Sequence, residues 1–237
     1  VNIVAPNGLG GHWIIDPADI RIVATSQANT ATTTFVTASS IAQTVASGNN
    51  ITIATVGTAA GNGDITVEAS ISTATETGPG GGRVVFNAFG KFSILSGISI
   101  TGVADRRFGV EIVAAEIDTS QGSISGVNFV KATAAGKLTV GAVSTTTGLG
   151  NTDSKAIELN GNVISIIEPL SSSIGHIAIT SSGVSPTIDL NANITTTGGD
   201  VNFSGGGKLF VNGNNRTIQT AGGDVDIIDV DSIDSNS

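Results

Sequence analysis

Apolar residues in this chain come in short alternating runs, each entered from a turn rich in glycine, asparagine or aspartate. The clearest are Gly63-Asp64-Ile65-Thr66-Val67, Arg83-Val84-Val85-Phe86, Val110-Glu111-Ile112-Val113 and Lys137-Leu138-Thr139-Val140. Ala156-Ile157-Glu158-Leu159, His176-Ile177-Ala178-Ile179, Asp200-Val201-Asn202-Phe203 and Asp224-Val225-Asp226-Ile227 continue the series. A period of two sends one set of side chains into a core and the other to water, the mark of a half-buried strand. Secondary runs fill the gaps at 91–94, 98–100, 122–124, 163–167, 187–190 and 208–211.

Taking Ile65, Val84, Val110, Leu138, Ile157, Ile177, Val201 and Val225 as leads, the spacings are 19, 26, 28, 19, 20, 24 and 24 residues. Self-similarity at a period of roughly 20–50 residues is the signature of a solenoid. A coil of a parallel β-helix needs that much chain for two or three short strands and their turns. The pattern predicts an all-β fold, a parallel β-solenoid of about nine or ten irregular coils stacked at about 4.8 Å. Residues 73–82, 101–109 and 144–154 read as loops between coils. An antiparallel sandwich is the alternative, since it also has frequent turns. The sparse phenylalanines and the length of the recurring unit favour the solenoid. The whole chain reads as one solenoid domain or a segment of a longer one, with an entry segment at 1–48 and coils over 49–237. Neither end looks like a natural cap, and no cap such as an amphipathic helix is expected at the C-terminus. Unpaired sheet edges are therefore expected at the ends of the rod, where they template further pairing.

Composition sharpens this picture. Charged residues make up 12% and aromatic residues 4%, with 32 glycines and no Cys, Met or Tyr. Ordinary domains have about 25% charged residues, so Ser, Thr, Asn and Gly must cover this surface. The net charge of −9 argues against nucleic acid and anionic lipid, which need clustered Lys and Arg. The one adjacent basic pair, Arg106-Arg107, reads as a solvated turn. Without cysteine there is neither a disulfide framework nor a thiolate metal site. No apolar run reaches the roughly 18 residues of a membrane span, so no membrane insertion is expected. No signal peptide is visible at the start.

Candidate chemistry is thin. Asp224, Asp226, Asp229, Asp231 and Asp234 form an acidic tail, but a calcium loop needs a bend glycine and a closing bidentate glutamate. The tail reads instead as a final strand with aspartates on its wet face. The Gly-Asp turns at 61–64, 198–200 and 222–224 read as strand starts, because calcium-binding rolls repeat in tandem. His12 and His176 are the only histidines, and Glu68, Glu76, Glu111, Glu116, Glu158 and Glu168 are dispersed along the sequence. A polysaccharide-active enzyme needs paired carboxylates in a cleft, so that reading is the lesser one. No catalytic residue, cofactor or metal site is expected. The Ser/Thr-rich stretches at 30–34 and 144–147 suit water-facing strands, a partner surface or glycosylation.

One segment concentrates unusual residues. Gly10-Gly11-His12-Trp13-Ile14-Ile15-Asp16-Pro17-Ala18-Asp19-Ile20 resembles a stretch of large bacterial exoproteins of the filamentous haemagglutinin type, which are secreted by the two-partner route. The Ser/Thr-rich 26–47, then Asn49-Asn50-Ile51-Thr52-Ile53, then 61–67 and 84–90 follow in the same order. Pro6-Asn7-Gly8-Leu9 is similar to part of the secretion-domain motif of that family, with Ala5 in place of its first Asn. The resemblance implies a right-handed parallel β-helix, an extracellular or cell-surface location and a role in adhesion or fibre formation. Partners would be the chain itself end to end, neighbouring solenoid coils, or host and matrix glycans or proteins. It supplies no catalytic residue. Trp13, Asp16, Pro17 and Asp19 are then a structural motif: Trp13 staples a coil, Asp16-Pro17 turns the chain, and Asp19 opens a strand.

Overall fold

The computed structural model describes residues 18–57, 61–146, 155–213 and 215–236. The chain enters through β1 (Asp19–Val23), β2 (Thr33–Thr37) and a helix, α1 (Ala38–Ala46). It then winds through seven three-strand turns among the described residues. They are β3 (Asn50–Ala54), β4 (Ile65–Val67), β5 (Ile71–Ser72); β6 (Arg83–Asn87), β7 (Lys91–Ile94), β8 (Ser99–Thr101); β9 (Gly109–Ala114), β10 (Glu116–Asp118), β11 (Ser123–Val127); β12 (Phe129–Ala134), β13 (Lys137–Val140), β14 (Ala142–Thr145); β15 (Lys155–Gly161), β16 (Val163–Ile166), β17 (Leu170–Ser172); β18 (His176–Ser181), β19 (Thr187–Leu190), β20 (Ile194–Thr196); and β21 (Val201–Ser204), β22 (Lys208–Asn212), β23 (Ile218–Thr220). An eighth turn starts with β24 (Val225–Ile228) and β25 (Ser232–Asn236).

Every pairing between these strands is parallel, and each strand meets its equivalent one turn on. The first strands of the turns form an eight-stranded sheet from β3 to β24, and the third strands a seven-stranded sheet from β5 to β23. The second strands make a ten-stranded sheet that runs from β4 to β25 and gains β1 and β2 at its N-terminal edge. At about 4.8 Å per strand the ten-stranded sheet spans roughly 43 Å. The fold is a parallel β-solenoid of about seven turns, fewer than the nine or ten expected. Among the described residues, 18–49 make no complete turn and carry β1, β2 and α1.

The register explains how so plain a sequence holds one shape. In the eight-stranded sheet, Ile51, Val84, Val110, Val130, Ile157, Ile177, Val201 and Val225 stack in one inward column. Ile65, Phe92, Ile117, Leu138, Ile164, Ile188, Leu209 and Ile233 do the same in the ten-stranded sheet. Ile65 and Leu138, taken above as leads, thus belong to a different column from Val84 and Val110. A slip of one residue would turn each column out to water. Each fully buried aliphatic side chain contributes roughly 1.5–3 kcal/mol relative to exposure. Phe86 and Phe92 meet across two sheets with ring centroids 5.0 Å apart.

Buried hydroxyls close the corners. Thr55, Thr73, Thr119, Ser172 and Thr196 are all at most 6% exposed. Thr73 Oγ1 donates to Arg106 O at 2.9 Å, and Ser172 Oγ to Ile174 O at 3.0 Å. Thr196 Oγ1 donates to Gly199 O, and Thr220 repeats the bond to Gly223 O one turn later. Part of the abundant Ser and Thr is therefore internal corner bonding rather than surface.

The N-terminal end of the core is closed by α1, contrary to the expectation that neither end carries a cap. Its apolar residues Ala38, Ile41, Ala42, Val45 and Ala46 recur at helical spacing and are buried. They pack over β2, β3, β5 and β6, while Ser39, Ser40 and Gln43 face out. A helix about 10 Å across fills the height of two strand spacings, matching the two strands by which β1 and β2 extend their sheet. The helix ends in a Schellman motif: Gly48 (φ +81°) donates to Val45 O at 3.1 Å and Asn49 to Thr44 O at 3.2 Å. The glycine run at 78–82 then threads between α1 and the 105–107 loop, where Gly80 N–H donates to Ala46 O and Gly81 N–H to Arg107 O, both at 2.8 Å. Gly80 sits at φ +68°, and a Cβ there would lie 2.8 Å from Arg106 Cα.

Candidate functional site

The three sheets present three chemically different outer faces. On the eight-stranded sheet, charge is gathered into a ladder. Glu111, Lys131 and Glu158 occupy one outward column on successive turns. Arg83 Nη1 reaches Glu111 at 3.3 Å, and Lys131 and Lys155 reach Glu158 at 3.5 and 3.7 Å. Two of the six glutamates that look dispersed in sequence, Glu111 and Glu158, thus share one column with Lys131 between them. Each is bracketed by a base, which makes it a rung between turns. On the ten-stranded sheet Arg21 pairs with Glu68 through two hydrogen bonds of 2.5 and 2.8 Å, and Lys91 with Asp118 at 2.9 Å.

Asp118 shows what a rung does to a carboxyl. Its partial burial alone would raise the pKa. Hydrogen bonds from Ser120 Oγ, Lys91 Nζ and Ser120 N–H, with the Lys91 charge, outweigh that and hold it below the usual aspartate value. Asp189 goes the other way: burial raises it more than Asn212 and Lys137 lower it.

The seven-stranded sheet carries no charge at all. Its strands read Ile-Ser, Ser-Ile-Thr, Ser-Ile-Ser-Gly-Val, Ala-Val-Ser-Thr, Leu-Ser-Ser, Ile-Thr-Thr and Ile-Gln-Thr. Ser72, Thr101, Ser125, Ser144, Ser171 and Thr195 form a band of hydroxyls along it, broken only by a register shift in β11.

The residues singled out in sequence fall as follows. Trp13, Asp16, Pro17 and His12 lie outside the described residues. Asp19 lies in β1, where Oδ1 accepts the N–H of Gly63 at 3.1 Å and of Asp64 at 3.0 Å, tying the entry strand to the first full turn. Asp64 repeats the device and accepts from Lys91 N–H at 2.7 Å. His176 and Asp200 do it again: His176 Nδ1 accepts from Asp200 N–H at 3.0 Å, and Asp200 Oδ1 from Asp224 N–H at 2.9 Å. The second histidine is therefore a link in a 24-residue ladder. The Gly-Asp turns run into β4, β21 and β24. Arg106, read as part of a solvated turn, instead donates to Thr73 O at 3.1 Å and Ala74 O at 3.4 Å and clamps a loop. In the acidic tail, Asp226 and Asp234 lie on β24 and β25, while Asp229 turns the chain at φ +56°.

Among the described residues, no three His, Asp or Glu side chains gather closely enough to hold a metal ion, and no helix is long and apolar enough to cross a membrane. What these faces offer is a long, regular surface with ion pairs between turns on two sides and hydroxyls on the third. Comparison with protein-family models, curated proteins and solved structures finds nothing that matches the chain.

Proposed function

We propose that this chain is a non-catalytic shaft segment of a bacterial filamentous adhesin, exported to the cell surface or the medium. The observation that carries this reading is the register itself. Side chains of one turn hold the backbone or the charge of the next from Asp19 through Asp64 and Lys91 to Asp118. A second run of links extends from His176 to Asp224. Such a rod transmits load along its axis and holds other parts of a protein at a distance. The resemblance of residues 10–20 to haemagglutinin-type exoproteins supports the surface location and the two-partner route. We take the winding as right-handed, because crossovers between parallel strands of one sheet are right-handed in about 98% of cases.

An end-to-end fibre subunit is the second reading. The exposed apolar residues of β24 and β25 favour it, and the polar outer face of α1 opposes head-to-tail stacking. Negative-stain microscopy of the purified chain at micromolar concentration separates the two: short dispersed rods support the shaft, and long uniform filaments support the fibre. Release of reducing sugar from a polysaccharide panel, lost in Glu111→Gln or Glu158→Gln, would overturn both in favour of an enzyme.

A further inference from the structure

One carboxylate in the body of the rod departs from the pattern around it. On the ten-stranded sheet Glu68 meets Arg21, Asp118 meets Lys91 and Asp234 meets Lys208. Asp189, on β19, meets an amide instead: its carboxylate accepts a hydrogen bond from the side chain of Asn212 on β22, one turn on. The register sets the pair. Asp189 lies opposite Phe210, and Asn212 stands two residues further along β22, on the same face. The bond uses only half of the amide, because Asn212 Oδ1 is buried and has no hydrogen-bond partner.

An ionised aspartate only accepts, whereas a primary amide both donates and accepts. Beside a carboxylate, one end of the Asn212 amide therefore stays unpaired whichever way the group is turned, and a buried polar atom without a partner is costly. A protonated aspartate removes the conflict: its O–H donates to the amide oxygen while its carbonyl keeps the amide N–H. The surroundings favour that proton. Burial raises the Asp189 pKa more than the Asn212 bond and the Lys137 charge lower it. Ser165 of β16 lies directly below and Phe210 directly above, and neither titrates. The charged residues of β13, β22 and β25 are Lys137, Lys208 and Asp234. Lys208 is drawn to Asp234 at 3.5 Å and leans over Phe210, its Nζ 5.9 Å from the ring centroid.

We propose that Asp189 and Asn212 form an acid-closed latch between the sixth and seventh turns. In acid the Asp189 carboxyl takes up a proton and shares it with Asn212 Oδ1, so that two side-chain bonds join β19 to β22 where one does at neutral pH. The folded chain then holds this proton more tightly than the unfolded chain does. The latch contributes in full below the ordinary aspartate value near 3.9 and is lost as pH rises through the higher folded value. Its sign is opposite to that of Asp118. The latch lies within the body of the rod and does not depend on the adhesin reading.

The test uses the full chain. Carboxyl-carbon NMR is expected to show Asp189 titrating above the ordinary value near 3.9, with the side-chain amide protons of Asn212 shifting at the same midpoint. Asp189→Asn supplies an amide that donates to Asn212 Oδ1 and accepts its N–H at every pH. Its urea midpoint is expected to exceed that of the unchanged chain at neutral pH, and the gap to close as pH falls towards about 3.9. Asp105→Asn, which removes the same charge from an exposed loop, leaves the midpoint unchanged and so controls for relief of the net negative charge. Three results each overturn the latch: Asp189 titrating at or below the ordinary value, Asn212 amide protons indifferent to that titration, or an Asp189→Asn midpoint at neutral pH no higher than that of Asp105→Asn.

Discussion

The two ends of the described rod are covered differently. At the N-terminal end the first full turn, β3, β4 and β5, is covered by β1, β2 and a nine-residue helix whose Ile41 and Val45 are fully buried. On β24 and β25, the last described strands, Ile227, Ile228 and Ile233 stand half open. In a solenoid each turn is stabilised by its neighbours, so a terminal turn with one neighbour is the weakest unit. The helix gives the first turn a substitute neighbour, whereas β24 and β25 have a strand neighbour on one side only among the described residues. The comparison teaches that strand pairing alone does not set local stability here. Coverage of the inward column does.

The largest expected effect contrasts one substitution at both ends. Ile41→Ala removes a fully buried side chain and is expected to cost about 2–5 kcal/mol. Ile233→Ala, at 57% exposure, is expected to cost about 1 kcal/mol or less. Urea unfolding of both variants checks this, and similar losses would remove the distinction between the ends. Next, Gly80→Ala is expected to cost about 1–3 kcal/mol. It forces a side chain into positive φ and against Arg106 Cα at 2.8 Å, loosening the seat of α1. Thermal unfolding should show the loss, and faster exchange of α1 amides should accompany it.

A smaller effect concerns the body of the rod. Because the folded pKa of Asp118 is depressed, its contribution is present above the ordinary aspartate value near 3.9. It is lost as pH falls below that value through the lower folded one. Asp118→Asn should therefore flatten that part of the acid limb of stability and leave its shape near neutrality unchanged, which a pH series of unfolding midpoints would read. The smallest effect is expected at Thr145, whose buried hydroxyl lacks a hydrogen-bond partner. Thr145→Val removes an unsatisfied polar group while keeping the shape, and should be neutral or stabilising by up to about 1 kcal/mol.

How much of this was legible in the sequence follows the same physics. The strands of the two sheets with strict alternation were readable: Lys91–Ile94, Lys137–Val140 and Thr187–Leu190 fall where the pattern placed them. The seven-stranded sheet was mostly not. Strands as short as Ile194–Thr196 and Ile218–Thr220 give two or three alternations, too few to stand out from surrounding Ser and Thr. Phe129–Ala134 escaped because its inward Val130 and Ala132 alternate with Lys131 and Thr133 in a stretch otherwise rich in small residues. The helix was legible in principle: Ala38, Ile41, Ala42 and Val45 recur at three and four, and Gly48 follows as a stop signal. Its Ser and Thr content masked that period. The rungs Arg83–Glu111 and Lys131–Glu158 were beyond reach, since partners more than twenty residues apart meet only once the turn lengths are known.

Residue-resolved native-state hydrogen exchange of the chain by itself tests the account most directly. Protection should be greatest in the central column at Val110, Val130, Ile157 and Ile177, remain substantial at Ile51 and Ile53 beneath α1, and fall steeply through Val201 to Val225 and Ile233. Equal protection at both ends, or an unprotected Ile51 beside a protected Val225, would contradict it.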